Sequence, residues 1–392
     1  MAYARGLASP PCCHYFCAMA QSMTTVMSFD RREADSVSVD APVAAGKQRI
    51  ADDMAMLRTA AELTRDLNAP RPAIYWADMI LSAVIGYGAL AAAIMVTSPA
   101  LAVFAGIIAV LALYRAGSFI HELTHIKHSS VPGFRLGWNA LVGVPMLVPS
   151  FMYEGVHSLH HARTRYGTAE DPEYLPLALM KPWSLPLFIA ASLLAPIALL
   201  FRFAVLTPLA ALFPAVRHKV VTRMSALSIN PSFERRPPEG ELARQWRWQA
   251  AACSVFAIAL LTGVGTGIVP LRGFLIFLAI VSAVAVINQV RTLVAHLWEN
   301  EGEAMTVTAQ YLDTVNVPPP ALLPVLWAPV GLRYHALHHL IPGLPYHSLA
   351  EAHRRLAKAL DAGSPYHRAN YPGLPGLVRR IVVSTMTVGG AR

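Results

Sequence analysis

The chain has 392 residues, 55% hydrophobic and only 14% charged, with a formal net charge of +9. Its apolar residues fall in blocks of about twenty, the length a hydrocarbon core of roughly 30 Å requires of a helix, so composition excludes an ordinary soluble protein and describes a polytopic membrane protein. Lys and Arg sit between and beside the blocks rather than along one soluble face; they read as cytoplasmic flanks, and nucleic acid is excluded as a partner.

Residues 1–47 mix Cys, Ser, Pro and charge without period and are expected to be disordered. Cys12, Cys13 and Cys17 crowd this segment and Cys253 lies in an apolar block, a pattern that gives no disulfide framework. Residues 48–68 carry an amphipathic pattern (Ile50, Met54, Leu57, Ala61) suited to a helix on the membrane surface. The first spanning candidate runs from Ala73 to about Thr97 and the second from Ala100 to about Ile120, joined by Ser98-Pro99. The second leads directly into His121-Glu-Leu-Thr-His125.

Phe134 to Met152 is apolar but broken by Gly137, Gly143, Pro145 and Pro149, and is expected to be buried or re-entrant, returning to the same face. It delivers Val-His157-Ser-Leu-His160-His161. Leu185 to Pro214 is long enough to leave its crossings open. The loop after it, Ala215 to Arg247, holds seven Lys or Arg residues and is placed in the cytoplasm by the positive-inside rule. Two further spans, about Gln249 to Val269 and Leu271 to Val290, then form a hairpin out and back, which makes Leu185 to Pro214 interfacial or re-entrant. His296 emerges just beyond the last span, and Tyr-His335-Ala-Leu-His338-His339 follows. The expected fold is all-α: a polytopic membrane protein of about four transmembrane helices in two hairpins, with re-entrant or interfacial helices and a cytoplasmic histidine-rich cap. Residues 69–362 form the membrane domain and 363–392 a C-terminal tail.

Eight of the chain's fifteen histidines lie in these three short windows. Residues three and four apart share a helix face, so the imidazoles of each window can point one way. Neutral imidazole is the commonest side-chain metal ligand, and eight are too many for one tetrahedral ion. Two metal ions are the economical reading, with His296 a candidate ninth ligand.

The order HxxxH (His121, His125), HxxHH (His157, His160, His161) and, after two spans, HxxHH (His335, His338, His339) resembles the membrane fatty acid desaturase superfamily, which includes related hydroxylases. Gly167-Thr-Ala-Glu-Asp171-Pro-Glu-Tyr and Tyr346-His-Ser-Leu-Ala-Glu-Ala-His353 resemble its bacterial members. The resemblance implies a non-haem di-iron centre that uses O2 and two electrons on an unactivated acyl chain, with the eight box histidines and His296 as iron ligands. It implies Glu122, Glu154, Asp171 and Glu299 as partners that orient the imidazoles. It further implies a lipid or acyl substrate, a bacterial inner-membrane location and an active site on the cytoplasmic face. No His-Pro-Gly-Gly haem motif and no cysteine pairs suited to an iron–sulfur cluster are present, so electrons are expected from a separate carrier of ferredoxin, rubredoxin or cytochrome type. The HxxHH form of the third box favours desaturation. Hydroxylation by the same centre is the alternative, since His-Glu-Leu-x-His and Glu-Asp-Pro are similar to alkane hydroxylases. His121-Glu122-x-x-His125 also matches the zinc-protease signature, but that reading leaves both HxxHH boxes unexplained. A metal transporter would need ionisable residues inside its spans.

Overall fold

The computed structural model describes residues 50–388. The disorder expected of residues 1–47, with its cysteine run, lies outside them. Among the described residues every regular element is helical, and five segments are long and apolar enough to cross a membrane.

Helix α1 (Met54–Leu63) begins where the Asp53 carboxylate accepts from the Ala55 and Met56 amides, satisfying donors that a first turn leaves without partners. Its apolar stripe, Met56 and Ala60, is buried against protein in the cap. Ile50 and Met54 of the same amphipathic segment stay exposed. Helices α2 (Pro72–Met95) and α3 (Pro99–His125) form the first hairpin, each with proline in its first turn, where the missing N–H is not needed. Gly86 lets them close: a Cβ there would lie 2.7 Å from the Leu113 side chain. At 1.5 Å per residue α3 is about 40 Å long, more than the bilayer core, so its last turns carry His121 and His125 out of the membrane.

The interrupted stretch after α3 stays on the histidine side, as expected. Trp138 donates to the Ala116 carbonyl of α3, Asn139 and Ser150 hold each other across a π turn, and the chain reaches the short helix α4 (His157–His160). Helices α5 (Ser184–Leu193) and α6 (Ala195–Leu212) then dip into the membrane and return. The Leu193 carbonyl accepts from Ser282. Farther on, Arg202 donates to the Met224 carbonyl, and Leu227 donates to Met152, beside the second histidine window. Length and composition alone would let α6 cross; these contacts tie the pair to the middle of α8 and to the segment beside the second histidine window.

Helices α7 (Gly240–Gly265) and α8 (Leu271–Leu293) form the second hairpin. At the far ends Arg272 donates to the Ile94 and Val96 carbonyls, tying the two hairpins together. Ser282 lies halfway along α8, which sets the depth of the α5–α6 bend at mid-span. Beyond α8 come α9 (Val307–Asp313), α10 (His335–Leu340) and α11 (Leu349–Ala359). They pack around Tyr311, Tyr334, Leu337, Leu356 and Tyr366 to make the cap with α1. The C-terminal segment, read from sequence as a tail, contains α12 (Leu374–Val388), whose Leu377 and Ile381 are buried against Trp298, Leu177 and Val315.

Candidate metal centre

Three separate pieces of chain deliver the histidines. His121 and His125 ride the end of α3; His157, His160 and His161 stand on and just after α4; His335, His338 and His339 lie on α10. His296 follows α8 and is locked to the third window by short bridges: His296 pairs with Thr314, and Asn316 with Tyr334. Leu297 donates to the Asp313 carbonyl and Ala336 to that of Val315, which fixes the order of these strands of chain side by side.

The nine imidazoles fall into two groups, His121, His125, His157, His161 and His338 in one and His160, His296, His335 and His339 in the other, with ring nitrogens within 4.8 Å of one another in each. This differs from the single shared face expected of each HxxHH window. The i and i+4 members go together and the i+3 member goes to the other group, because a residue three ahead falls short of a full turn and one four ahead overshoots it. Each HxxHH helix therefore stands between the two groups and serves both.

Their nitrogens face one another in a way that protein alone does not satisfy. The His338 Nε2 lies 3.1 Å from the Nε2 atoms of both His125 and His161. His161 and His157 approach at 3.0 Å, and His335 meets His296 at 3.1 Å and His339 at 3.2 Å. Neither ring nitrogen of buried His121 has a partner. The outer nitrogens show which tautomer is present. His160 Nδ1 donates to Asp171 at 2.9 Å and His157 Nδ1 to Glu173 at 2.9 Å. His296 Nδ1 donates to the Tyr166 hydroxyl, 2.9 Å away, which in turn donates to Asp313 at 2.7 Å. With those protons outward, the Nε2 lone pairs of His157, His160 and His296 point inward, the donor set of a cation site.

Burial reinforces this. It holds His157, His161, His296, His335, His338 and His339 well below the usual imidazole range, each imidazole adding to the next, and a metal requires neutral imidazoles. His160 goes the other way: burial opposes its charge, but Asp171, Glu173 and Asp313 outweigh it. Burial also raises Glu173 and Asp313 to about 7. The residues present fit a pair of nitrogen-ligated metal ions.

Of the four carboxylates expected to orient imidazoles, Asp171 sits in that position, anchored by the Gly167 and Glu173 amides. Gly167 adopts φ 71°, and a Cβ there would collide with Asn300 at 2.6 Å. Glu122 accepts instead from the Tyr75 hydroxyl and the Tyr346 amide. Glu154 pairs with Arg135, and Glu299 lies at the surface with Arg380. Glu122 and Glu154 thus hold neighbouring elements, with an oxygen of each 3.8 and 3.9 Å from a ring nitrogen of His121 and His128 respectively, while Glu299 faces Arg380. Sequence reasoning passed over Glu173, Tyr166, Asp313 and Tyr153, whose hydroxyl lies 2.9 Å from His157 Nδ1 and donates to Glu173 at 3.0 Å. Glu173 was within reach, two residues past Asp171 in the acidic stretch; nothing local marks Tyr166 and Asp313, which meet across 147 positions.

A family model described as fatty acid desaturase matches residues 96–370. A ceramide hydroxylase of Caulobacter vibrioides is 52% identical over 326 residues, covering 83% of this chain and 93% of the relative. With its membrane hairpins and paired histidine groups, the chain is an oxidoreductase that belongs to the fatty acid desaturase family.

Proposed function

We propose that this protein hydroxylates a ceramide-type lipid, using O2 and two iron ions held by the two histidine groups. His121, His125, His157, His161 and His338 would hold one ion and His160, His296, His335 and His339 the other. The observation that carries the choice of hydroxylation is the 52% identity to a ceramide hydroxylase; the family model fits desaturation and hydroxylation equally, and desaturation, favoured from the third box, is the less supported reading.

The iron pair supplies the activation of O2 that a C–H bond without acidity or leaving group requires. In the balanced reaction one oxygen atom enters the C–H bond and the other leaves as water, consuming two electrons and two protons. A separate carrier of ferredoxin, rubredoxin or cytochrome type delivers the electrons on the cytoplasmic face of a bacterial inner membrane, where His125 and His161 are only partly covered. The chain's own residues position and insulate. Asp171, Glu173 and Tyr166 fix the imidazole protons outward, and burial of His157, His160 and His338 keeps water from the reacting atoms. The zinc-protease reading fails on Glu122, whose Oε2 is engaged by Tyr75 and Tyr346.

The test is lipid profiling of cells expressing the chain, beside His160→Ala and His338→Ala variants, with iron measured on the purified proteins. Expected are a hydroxylated ceramide and about two irons per chain for the unmodified protein. Each variant should lose product at least 100-fold and shed iron while still inserting into the membrane. Product retained in either variant would remove the ligand assignment, and a new double bond in place of a hydroxyl would restore desaturation.

A further inference from the structure

Arg291 is 9% exposed, near the cytoplasmic end of α8 and five residues before His296. Among the described residues no carboxylate forms an ion pair with it, and its buried Nε has no hydrogen-bond partner. The Tyr114 hydroxyl of α3, which donates to the Trp327 carbonyl at 3.0 Å, can accept from another guanidinium nitrogen, so it is the Nε that stands without an acceptor. An unpaired buried guanidinium is costly, and one truly without acceptors is rarely retained. Arg291 faces a small cavity of about 10 Å³ shared with Trp327, Val317 and His335, room for one oxygen-sized group.

A second feature leads to the same place. Between α3 and α8 runs an apolar groove of about 440 Å³ lined by Val103, Ile107, Val110, Ile276, Ile280 and Ile287, among others. Val103 and Ile107 are more than half exposed, so the groove opens to the bilayer. Positions 276, 280, 283, 287 and 291 share one face of α8, and 103, 107, 110 and 114 one face of α3. Arg291 and Tyr114 thus lie about one turn beyond the groove lining at Ile287 and Val110, on the same helix faces and toward the histidine side, with about 22 Å along α8 from Ile276 to Arg291.

We propose that Arg291 is a substrate-positioning residue: its guanidinium donates to the amide carbonyl oxygen of the lipid while one hydrocarbon chain lies in the groove between α3 and α8, so that the hydroxyl is placed within a few bonds of the amide. This rests on the ceramide-hydroxylase reading and adds the position of oxidation to it. A carbonyl supplies the acceptor that the Arg291 Nε lacks, and the planar fork with Tyr114 beside it suits a carbonyl better than a bare hydrocarbon. An amide held next to His335 leaves only the carbons near it beside the histidine groups. The distal carbons are drawn away along the groove.

The test uses full-length, iron-loaded protein in lipid nanodiscs, comparing the unmodified chain with Arg291→Gln and with Ile280→Trp, which fills the groove. Ceramide binding is measured without electron donor, and the hydroxyl is located by fragmentation mass spectrometry after turnover. The proposal expects Arg291→Gln to keep its iron, to bind ceramide roughly 10- to 100-fold more weakly, and to scatter the hydroxyl along the chain. It expects an N-alkyl analogue without the carbonyl to bind both proteins equally weakly. Ile280→Trp should weaken binding of long-chain ceramide and spare a short-chain one. Unchanged affinity and position in Arg291→Gln, or a hydroxyl in the distal half of the chain in the unmodified protein, overturns the proposal. Arg291-dependent binding with no hydroxylation would overturn the assigned reaction alone, and hydroxylation indifferent to Arg291 would overturn this inference alone. Absence of both overturns the two together. If Arg291→Gln loses its iron, Arg291→Lys and the analogue decide, since the analogue compares two ligands on the same unmodified protein.

Discussion

Carboxylates that lie near the histidines in sequence do different work. Asp171 receives the His160 proton together with two backbone amides, whereas Glu299 pairs at the surface with Arg380. Partners that fix a ligand's tautomer typically matter 10- to 100-fold in metal affinity, while an exposed ion pair contributes about 0–1 kcal/mol. Asp171→Asn is therefore expected to weaken iron binding roughly 10- to 100-fold, and Glu299→Gln to leave it unchanged. Competition with a chelator, followed by iron analysis, checks both. Equal losses in the two variants would mean that the carboxylates act through general charge and not through the His160 contact.

At the scale of elements, a polar clamp holds the third window against the first hairpin. Glu122 on α3 accepts from Tyr75 on α2 and from the Tyr346 amide just after α10. One turn deeper Asp78 takes Arg115 and the Tyr346 hydroxyl. Around this clamp Tyr75, Phe119, Phe134 and Tyr346 meet edge to face, so the α10 region cannot shift without breaking both polar and aromatic contacts. Glutamine at 122 still offers an oxygen to both donors, but leucine leaves both unpaired at about 1–3 kcal/mol each. Glu122→Gln should keep its iron and melt near the unmodified protein, and Glu122→Leu should melt several degrees lower. Thermal unfolding in detergent with iron analysis measures this; a Gln variant that loses iron or activity outright would show Glu122 to be a chemical participant.

Across the whole molecule, function depends on parity: all histidine windows must leave the membrane on one side. The α5–α6 pair tests this, since one more crossing would place α7 and α8 the wrong way round. Phe213, just past α6, and Ile268, in the turn between α7 and α8, are both exposed, at 52% and 81%. Cysteines placed at these two positions should label from opposite faces of sealed vesicles, with Phe213→Cys on the histidine side. Labelling of Phe213→Cys from the face opposite His121 and His125 would mean that α6 crosses, since α7 separates Phe213 from Ile268 in either topology.

The sequence by itself determined the blocks of apolar residues, the proline-marked turns and the three histidine windows, because span length, helix starts and i to i+4 spacing are properties of neighbouring residues. It also placed His296, since a basic loop and a count of spans fix which side it reaches. Only the tertiary structure decided how the windows divide, with His160 leaving its own box to join His296, His335 and His339, and that Tyr166 reaches Asp313 across 147 positions. It alone brought Arg291 of α8 and His335 to one small cavity. Those relations arise where distant segments meet, and the direction of a side chain there is fixed by what packs against it, which no local pattern of residues contains.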